Sequence, residues 1–270
     1  LLPGFGTIFQ PRLVPGQQFG VFYGSGWLRD AQGRVIIEPQ NRIGANGQPE
    51  IGANGQPVPN PNAGFPVRQD NLLIGNPNPR FLLGIRNTLS YGSLSLSFLW
   101  DIRSGGDVWN GTEAVLTNIG MTTRTLDRGT QRVFDGVVAT GRDPQTGLYT
   151  ASPEAPANAQ AVTLTQANWF QANGRATGAA GVHEQFVEDA SWVRLRDVNL
   201  SYKLPAGWFN GSKFLKGATF TAFGRNLLLF TNYSGIDPET SLYGLSPAQG
   251  LDYFGNPNTR SAGLSLNATF

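Results

Sequence analysis

The sequence lacks cysteine altogether and has one histidine, His183, and only three lysines. Without cysteine, disulfide scaffolds, thiol catalysis and cysteine metal sites are excluded. A single histidine cannot by itself supply the usual zinc ligand set. The 20 basic residues barely exceed the 18 acidic ones and never cluster, so no nucleic-acid footprint is present and no nucleic-acid partner is expected.

The sequence also lacks any run of 18 apolar residues, which excludes a transmembrane helix. Charged residues are 14% of the chain, well below the roughly 25% of an ordinary soluble domain. The 35 glycines and 18 prolines disfavour helix interiors, and 11% aromatic residues is too many for a disordered chain. These values predict a turn-rich all-β protein. The chain begins at Leu1 with neither an initiator methionine nor a signal peptide, so we expect an N-terminal part to be missing.

Strict alternation of apolar and polar residues is the clearest pattern present. It predicts strands over residues 81–91, 94–103, 192–204, 218–230 and 259–270, and a weaker sixth strand over 18–28. Gly92 and Ser93 form a two-residue turn between the first two of these. Val193 and Leu195 are out of phase with the residues after Asp197, which predicts a β-bulge there. Strands of about ten residues match those that cross a bilayer at a tilt.

The connections between these strands are very unequal. Two are short, at residues 92–93 and 205–217, and three are long, at 29–80, 104–191 and 231–258. Short turns at one rim and long loops at the other are typical of an outer-membrane barrel. The first long loop repeats IGANGQP at 43–49 and 51–57, which we interpret as a duplication in a tolerant loop, with a binding repeat as the alternative. Residues 151–180 predict a mobile loop or a short helix.

Four blocks of sequence resemble a known family. These are IGNPNPRFLLGIRNTLSYGSLSLSFLWDIRSGGDVWNGT, EDASWVRLRDVNLSYKLP, FGRNLLLFTNYSGIDPE and the ending that closes on Phe270. In order and spacing they are similar to the late-barrel region of SusC/RagA-type TonB-dependent outer-membrane transporters.

The resemblance implies that residues 1–270 are the C-terminal part of a transmembrane antiparallel β-barrel, about the last six of 22 strands, without the plug domain and earlier strands. It implies TonB-dependent import of an oligosaccharide or a peptide across the cell outer membrane by a transporter that is not an enzyme. It also implies a SusD-like lipoprotein as lid, contact with the TonB complex through the missing N-terminal region, and contact with the barrel assembly machinery and outer-membrane lipid. Phe270, a terminal aromatic, resembles the assembly signal of such barrels.

Residues able to perform chemistry are few, and we propose no catalytic residue, metal site or cofactor. We expect His183 and the nearby acids Glu184, Glu188 and Asp189 to be solvated loop residues, because no nucleophile elbow or facing carboxylate pair accompanies them. Residues 104–107 predict a turn. Asp237, before Pro238, predicts an Asx-type turn, with a calcium ligand or a lid contact as the alternative.

Aromatic residues in the long loops are the candidates for contact with a substrate or with the lid. Exposed rings stack well on sugars and often mark recognition surfaces, but loop packing or an interfacial girdle would explain them equally. The candidates are Trp109, Tyr243, Tyr253 and Phe254. For Trp100, Trp192, Phe230 and Tyr233, near strand ends, we predict a girdle position.

A different class of protein is also compatible with the alternating strands: a soluble secreted β-sandwich, such as an adhesin or a carbohydrate-binding module. A sandwich buries the apolar faces between two sheets, whereas a barrel exposes them to lipid as a band with aromatic rims. A glycoside hydrolase, the third possibility, requires a facing carboxylate pair that the sequence does not show.

Overall fold

The computed structural model describes residues 9–171, 181–242 and 248–270, in which strands predominate. The strands in chain order are β1 (Gln10–Arg12), β2 (Val21–Trp27), β3 (Ile36–Ile37), β4 (Arg68–Gly75), β5 (Phe81–Tyr91), β6 (Leu94–Ser104), β7 (Asp107–Asn110), β8 (Gln131–Arg132), β9 (Val137–Val138), β10 (Gly141–Arg142), β11 (Tyr149–Thr150), β12 (Val162–Thr163), β13 (Val187–Asp189), β14 (Trp192–Lys203), β15 (Gly217–Thr231), β16 (Leu251–Asp252) and β17 (Ser261–Thr269).

The helical segments are short. They are the α-helix α1 (Gly111–Ile119), 3-10 turns at Thr123–Thr125, Glu184–Phe186 and Ala206–Phe209, and a π-helical turn at Gln166–Phe170. Within the described ranges, no helix has the length and apolarity that crossing a membrane would require.

The chain divides into two compact units. The first unit consists of Leu1–Gln17, Val21–Gly75 and Gly111–Val187, and the second of Gln18–Gly20, Asn76–Asn110 and Glu188–Phe270.

A five-stranded antiparallel sheet dominates the second unit, in the order β17-β15-β14-β6-β5. The strands predicted by alternation are confirmed, with β5 matching its predicted bounds and the others matching to within two residues at each end. Gly92, at φ 57°, makes the predicted turn between β5 and β6, because a glycine adopts this left-handed conformation without steric cost.

The predicted β-bulge is present in β14. Leu195 pairs with Trp100 of β6, and Asp197 pairs with the adjacent Leu99, so Arg196 is an extra residue in β14. The extra residue reverses the alternation, and as a result Val193 and Leu195 share a face with Val198 and Leu200 despite their different parity. On the other side of β14, β15 carries its own irregularity at Asn226, which has a φ of 52°.

The two faces of this sheet differ in chemistry. One face is apolar and open, and its exposed side chains include Leu83, Ile85, Leu89, Leu94, Leu200, Phe220, Leu228, Leu264 and Leu266. The opposite face is mainly polar and carries Arg86, Thr88, Ser97, Asp101, Asn199, Ser201, Thr221, Ser265 and Asn267. Among the described residues no second sheet covers the apolar face.

The long connections of the second unit contain structure of their own. β7, at the start of the 104–191 connection, pairs in parallel with β16 in the 231–258 connection, and β13 completes a small sheet in the order β13-β7-β16. Val108, Ala190 and Tyr233 form its buried core. Residues 104–107 form no regular turn: Gly105 and Gly106, both at positive φ, interrupt the chain between β6 and β7.

The first unit contains the sixth predicted strand. This strand forms as β2, but it pairs with β1 and β4 in a separate sheet. The expectation of six strands in one wall is therefore corrected to five, because the hydrogen-bond partners of β2 lie in its own unit. The first unit also contains three two-stranded pairs, β3-β9, β8-β12 and β10-β11. The segment 151–180 contains β12 and the π-helical turn, and its residues 172–180 lie outside the described ranges.

The IGANGQP repeat forms two equivalent turns in the first unit. In each turn a glycine N–H donates to a glutamine carbonyl, at 2.8 Å from Gly44 and 2.9 Å from Gly52. Three backbone hydrogen bonds link Arg42, Glu50 and Val58, residues spaced eight apart, into a closed ring. Ile43 of the first copy is buried in a core cluster, whereas the equivalent Ile51 is exposed. The duplication has thus added a second turn to the surface.

Candidate functional site

The charged residues of the polar face concentrate at the end of the sheet where the strands meet the long connections. These residues come from two strands of the sheet and from the first part of the 231–258 connection. The group, here termed the ionic cluster, consists of Asp101, Arg103, Arg194, Arg196, Asp237 and Glu239. Asp101 and Arg103 belong to β6, and Arg194 and Arg196 belong to β14.

Arg194 and Asp237 form the most buried ion pair of the cluster. Arg194 Nη2 lies 2.6 Å from Asp237 Oδ1, and the two side chains are 2% and 4% exposed. Glu239 provides a second carboxylate 3.4 Å from the same nitrogen. A buried pair of this kind is stable only while both partners remain, because removal of one leaves an uncompensated charge away from water.

Arg196, the extra residue of the bulge, extends the cluster across the sheet. Its guanidinium hydrogen-bonds Asp101 of β6 and, at 2.7 and 3.0 Å, both carboxylate oxygens of Glu239. The bulge therefore has an electrostatic role as well as a geometric one, because it directs an arginine onto the polar face between two carboxylates. A bulge near Asp197 is predictable from the alternation, but these partners are not.

The Asx-type turn predicted at Asp237 is confirmed. The backbone N–H of Glu239 donates to Asp237 Oδ1 at 3.0 Å, and Asn258 donates to Asp237 Oδ2 at 3.1 Å. Burial alone would raise the pKa of Asp237, but the hydrogen bonds from Arg194 and Glu239 and the Arg194 charge outweigh it and lower that pKa. Asp237 is thus held ionised and joins both ends of the final connection to the sheet.

A cavity of about 260 Å³ adjoins the ionic cluster. It is lined by Asp101, Arg103, Trp192, Glu239, Ser241 and Gly250. The guanidinium of Arg103 lies 5.2 Å from the centroid of the Trp192 ring, so a cation covers the indole. The cavity wall combines acceptors and donors and carries no large excess of either charge.

The four candidate aromatic residues have different environments. Trp109 lies in β7 and is fully buried, so the expectation that it is an exposed loop ring is wrong. Trp109 is among the largest fully buried side chains of the described residues. Tyr243 lies outside the described residues.

Tyr253 and Phe254 follow β16 and lie next to each other at the surface. Their rings meet edge to face with centroids 5.1 Å apart. Phe254 is 54% exposed and has a φ of 51°, an uncommon conformation for a bulky residue. The two residues directly follow Asp252 of β16, which pairs with β7, the strand that contains Trp109. Contact of Tyr253 and Phe254 with a substrate or a lid stays a prediction.

The girdle predictions divide between the two faces of the sheet. Trp100 and Phe230 lie on the apolar face as expected, since they share it with Leu195 and Val193. The girdle prediction for Trp192 is wrong, because this residue pairs with Arg103 and Thr231 on the polar face, where it is 6% exposed. The girdle prediction for Tyr233 is also wrong, because its side chain is buried and its hydroxyl donates a hydrogen bond to Asp252 at 2.5 Å.

Phe270 follows directly after β17 and is 78% exposed. The strand before it is paired along its length with β15, and Lys216 N–H donates to the carbonyl of Thr269 at 2.7 Å. A role of Phe270 as an assembly signal stays a prediction.

His183 is not a solvated loop residue. It is 1% exposed, and its Nδ1 lies 2.6 Å from Ser25 Oγ. Gly24 and Gly26 on either side of Ser25 leave room for it: a Cβ at Gly24 would lie 3.3 Å from His183 Cβ and 2.6 Å from Ile74 Cδ1. The sequence signal that could have indicated this burial is the run of three small residues in Tyr-Gly-Ser-Gly-Trp, which leaves a groove along β2.

The three acids near His183 are not merely solvated either. Glu184 pairs with Arg29, Glu188 accepts hydrogen bonds from Ser234, and Asp189 accepts them from Ser191. Each therefore fixes a turn or a strand end. Across the described ranges, no group of three or more histidine, aspartate or glutamate side chains could hold a metal ion.

Comparison with known proteins gives consistent relatives, although no protein-family model matches the chain. TonB-dependent receptor P26 of Formosa agariphila is 32% identical over 205 residues, which is 74% of this chain and 18% of that protein. TonB-dependent receptor P3 of the same organism is 27% identical over 206 residues, 74% of this chain and 17% of that protein. The chain thus spans less than a fifth of the length of these curated relatives.

Solved structures give a related result. The RagAB peptide importer in its closed-closed state matches with a TM-score of 0.50 at 17% identity, over 96% of this chain and 25% of that one. Its open-open state matches with a TM-score of 0.49 at 15% identity, over 96% and 24%. At this identity the closed-closed match supports the fold alone, a mostly β structure that aligns with part of such a receptor. The sequence relatives, at 32% and 27% identity over 74% of this chain, show that it is homologous to part of a TonB-dependent receptor of the SusC/RagA type.

Proposed function

We propose that residues 1–270 form the C-terminal part of the β-barrel of a TonB-dependent outer-membrane transporter, which imports an oligosaccharide or a peptide. The observation that carries this proposal is the open apolar face of the five-stranded sheet. The proteins of this family are transporters and not enzymes.

The dimensions of the apolar face fit a bilayer. β5 runs ten residue steps from Phe81 to Tyr91, which at about 3.3 Å each is roughly 33 Å. A strand tilt of about 40° reduces this length to roughly 25 Å, the height of the apolar band of an outer-membrane barrel. Aromatic residues lie near both ends of the face: Phe81 and Phe230 at the long-loop end, and Tyr91, Tyr202, Phe220 and Phe270 at the short-turn end.

The exposure of the apolar face argues against the soluble sandwich. In a sandwich, Leu83, Leu200 and Leu264 would be covered by a second sheet, whereas here they are 45%, 43% and 69% exposed. Hydrocarbon side chains so exposed over five adjacent strands are stable in lipid and promote aggregation in water.

Five strands alone cannot span a bilayer. β5 and β17 are the two edges of the sheet, and neither has an outer partner among the described residues. Lipid cannot hydrogen-bond the exposed N–H and C=O groups of such edges. We infer that the remaining strands of a 22-stranded barrel pair with both edges, and that the polar face with its ionic cluster lines the lumen.

The partners follow from the same proposal. The solved relative is a two-component importer, RagAB, which supports a SusD-like lipoprotein as the lid of this transporter. We infer that the TonB complex acts through the N-terminal region of the complete protein. The barrel assembly machinery recognises the strand that ends at Phe270, and outer-membrane lipid covers the apolar face.

Membrane fractionation tests the proposal most directly. The complete receptor is expected in the outer-membrane fraction, folded in detergent, and with a lower apparent mass on gels before boiling than after. Growth on the transported nutrient is expected to depend on TonB. Recovery of the protein as a soluble monomer without detergent contradicts the barrel assignment, and TonB-independent uptake contradicts the transport mechanism.

A further inference from the structure

The first unit contains a cavity of about 420 Å³ that the proposed function does not yet use. Trp27 and Arg29, at and just after the end of β2, line it together with Gln69 and Leu72 of β4 and with Glu184. Its volume lies within the range of small-molecule sites, roughly 300–1,000 Å³. The cavity combines one large aromatic ring with an ion pair and an amide.

Two glycines of β2 allow the segment that carries Glu184 to lie against this strand. A Cβ at Gly26 would come within 2.5 Å of Glu184 Oε2 and 2.9 Å of Leu72 Cδ1, so any larger residue would require both side chains to shift. Next to it, the Ser25 hydroxyl donates to the carbonyl of Gly181 at 2.7 Å and accepts from the backbone N–H of His183 at 3.1 Å. These contacts hold residues 181–184 in place along β2.

The carboxylate of Glu184 is consequently oriented by two donors. Its Oε2 accepts from the backbone N–H of Trp27 at 2.8 Å, and its Oε1 accepts from Arg29 Nη2 at 2.7 Å. The side chains of Arg29 and Glu184 remain 41% and 29% exposed. The pair is therefore rigid but reachable, and its charges compensate each other.

The Trp27 ring is fixed by other aromatic rings. It stacks on Trp169 with a centroid distance of 5.8 Å and an interplanar angle of 6°. Trp169 is braced in turn by Phe134 at 4.5 Å and Phe65 at 6.1 Å. One indole face is thus occupied by Trp169, and the half-buried ring needs no rearrangement to receive a ligand on the cavity side.

We propose that Trp27, Arg29 and Glu184 form a subsite for a neutral pyranose ring of an oligosaccharide. A pyranose has an apolar face of C–H groups that stacks on an indole, and equatorial hydroxyls at its rim. The guanidinium supplies donors to these hydroxyls and the carboxylate supplies acceptors. Because the ion pair is neutral overall, the cavity offers no uncompensated charge to a peptide terminus or to an anionic sugar.

This subsite rests on the proposed function, and it narrows the substrate class from oligosaccharide or peptide to oligosaccharide. The test uses the complete receptor in detergent, an array of neutral oligosaccharides, and a set of neutral hexapeptides as the comparison. Calorimetry then measures the affinity of the best array ligand for the wild type and for Trp27→Ala, Trp27→Phe and Glu184→Gln.

The proposal predicts about tenfold or more weaker binding for Trp27→Ala, partial retention for Trp27→Phe, and weaker binding for Glu184→Gln. Trp208→Ala removes an indole that is 72% exposed in the other unit and is expected to leave affinity unchanged. Thermal unfolding of each variant, near that of the wild type, separates lost binding from lost folding.

Three results overturn the subsite: no oligosaccharide binds, only peptides bind, or Trp27→Ala binds as tightly as the wild type. Outer-membrane fractionation and TonB-dependent growth are measured on the same variants. If these persist while sugar binding is absent, the subsite fails and the transporter assignment stands, whereas a soluble wild-type protein refutes the transporter assignment itself.

Discussion

Arg194 in the central strand of the sheet and Asp237 in the final long connection form an ion pair at 2.6 Å, with both side chains almost completely buried. The two residues are 43 positions apart in the chain, and their contact joins the wall of the sheet to the connection that carries Tyr253 and Phe254. Asn258 hydrogen-bonds the same carboxylate from the far end of that connection. The 231–258 connection is therefore anchored to the polar face at both ends.

Removal of the Asp237 charge is expected to release this anchor. Asp237→Asn leaves the Arg194 guanidinium buried with only Glu239 at 3.4 Å, so we expect a loss of about 3–5 kcal/mol in the free energy of unfolding, at the lower end if Glu239 moves closer. Denaturant titration in detergent measures it. Asp70→Asn, at a more exposed ion pair with Arg68, is the matched control and is expected to cost under about 1 kcal/mol. Equal effects of the two substitutions contradict the anchor.

Because this anchor requires an ionised Asp237 carboxylate, we expect its stability to depend on pH. The pKa of that carboxylate in the folded protein lies below the ordinary value of 3.8, so the stabilisation is present above that value and is lost as the pH falls through the lower folded pKa. We expect protease cleavage within residues 231–258 to be unchanged between about pH 7 and pH 5 and to increase only below about pH 4. In Asp237→Asn this acid-dependent increase is expected to be much smaller. An anchor that is lost already at pH 6 would point to a different titrating group.

Deletion of Phe270 is expected to impair assembly of the complete receptor. The residue is exposed after a fully paired strand, so its removal costs little packing and mainly removes the terminal aromatic ring. Surface labelling of cells measures the amount of assembled receptor. Phe270→Trp retains an aromatic end and is expected to assemble, and normal surface levels of the deletion variant would contradict a signalling role.

The two faces of β17 are expected to respond differently to substitution. Leu266 is 65% exposed on the apolar face, and Asn267 lies on the polar face opposite Thr219. If the barrel proposal is correct, Leu266→Arg places a charge in hydrocarbon and costs about 2–4 kcal/mol near the midplane, whereas Asn267→Arg costs little.

Leu266→Trp provides the comparison that separates lipid from a protein core. A lipid-facing position has no packing limit and accepts the larger ring, while a close-packed core would lose about 1–3 kcal/mol. Folding titrations of the complete receptor in liposomes measure all three variants. The lipid-facing assignment is wrong if Leu266→Trp is as damaging as Leu266→Arg.

A methyl group at Gly26 is expected to disturb the first unit. Gly26→Ala would displace the Glu184 carboxylate and Leu72, with an expected cost of about 1–3 kcal/mol and a weakened Arg29–Glu184 pair. Gly211→Ala is the control, because nothing lies within 4 Å of a Cβ at that position. Denaturant titration compares the free energies of unfolding of the two variants. If Gly26→Ala leaves this free energy unchanged, residues 181–184 do not pack closely against β2.

The strands of the large sheet were predictable because their signal is local. In β5, β6 and β17, alternate residues lie on the apolar and the polar face of the sheet, and the order of the side chains shows this period of two directly. The bulge near Asp197 was predictable for the same reason, since it appears as a change of phase. The sixth strand was predicted with its approximate position but without its sheet, because pairing partners are not a local property.

The environments of single residues were mostly not predictable. Trp109 and Trp192 look like exposed or interfacial aromatic rings, yet Trp109 is fully buried in β7, which pairs with β16, and Trp192 is covered by Arg103. His183 lies in a polar stretch of sequence, but the glycines of β2, 158 residues earlier in the chain, provide the groove that buries it beside Ser25.

By itself, the sequence determined the class of protein. It predicts an all-β chain whose strands are about as long as those that cross a bilayer and carry one apolar and one polar face, and its sequence blocks resemble those of TonB-dependent receptors. Only the tertiary structure decided that Arg196 turns onto the polar face, that Asp237 reaches Arg194, and that Glu184 is oriented beside Trp27. The physical reason is the range of the interactions. Alternation follows from the geometry of one strand, whereas an ion pair or a buried ring depends on which distant segments the completed fold brings within a few ångströms.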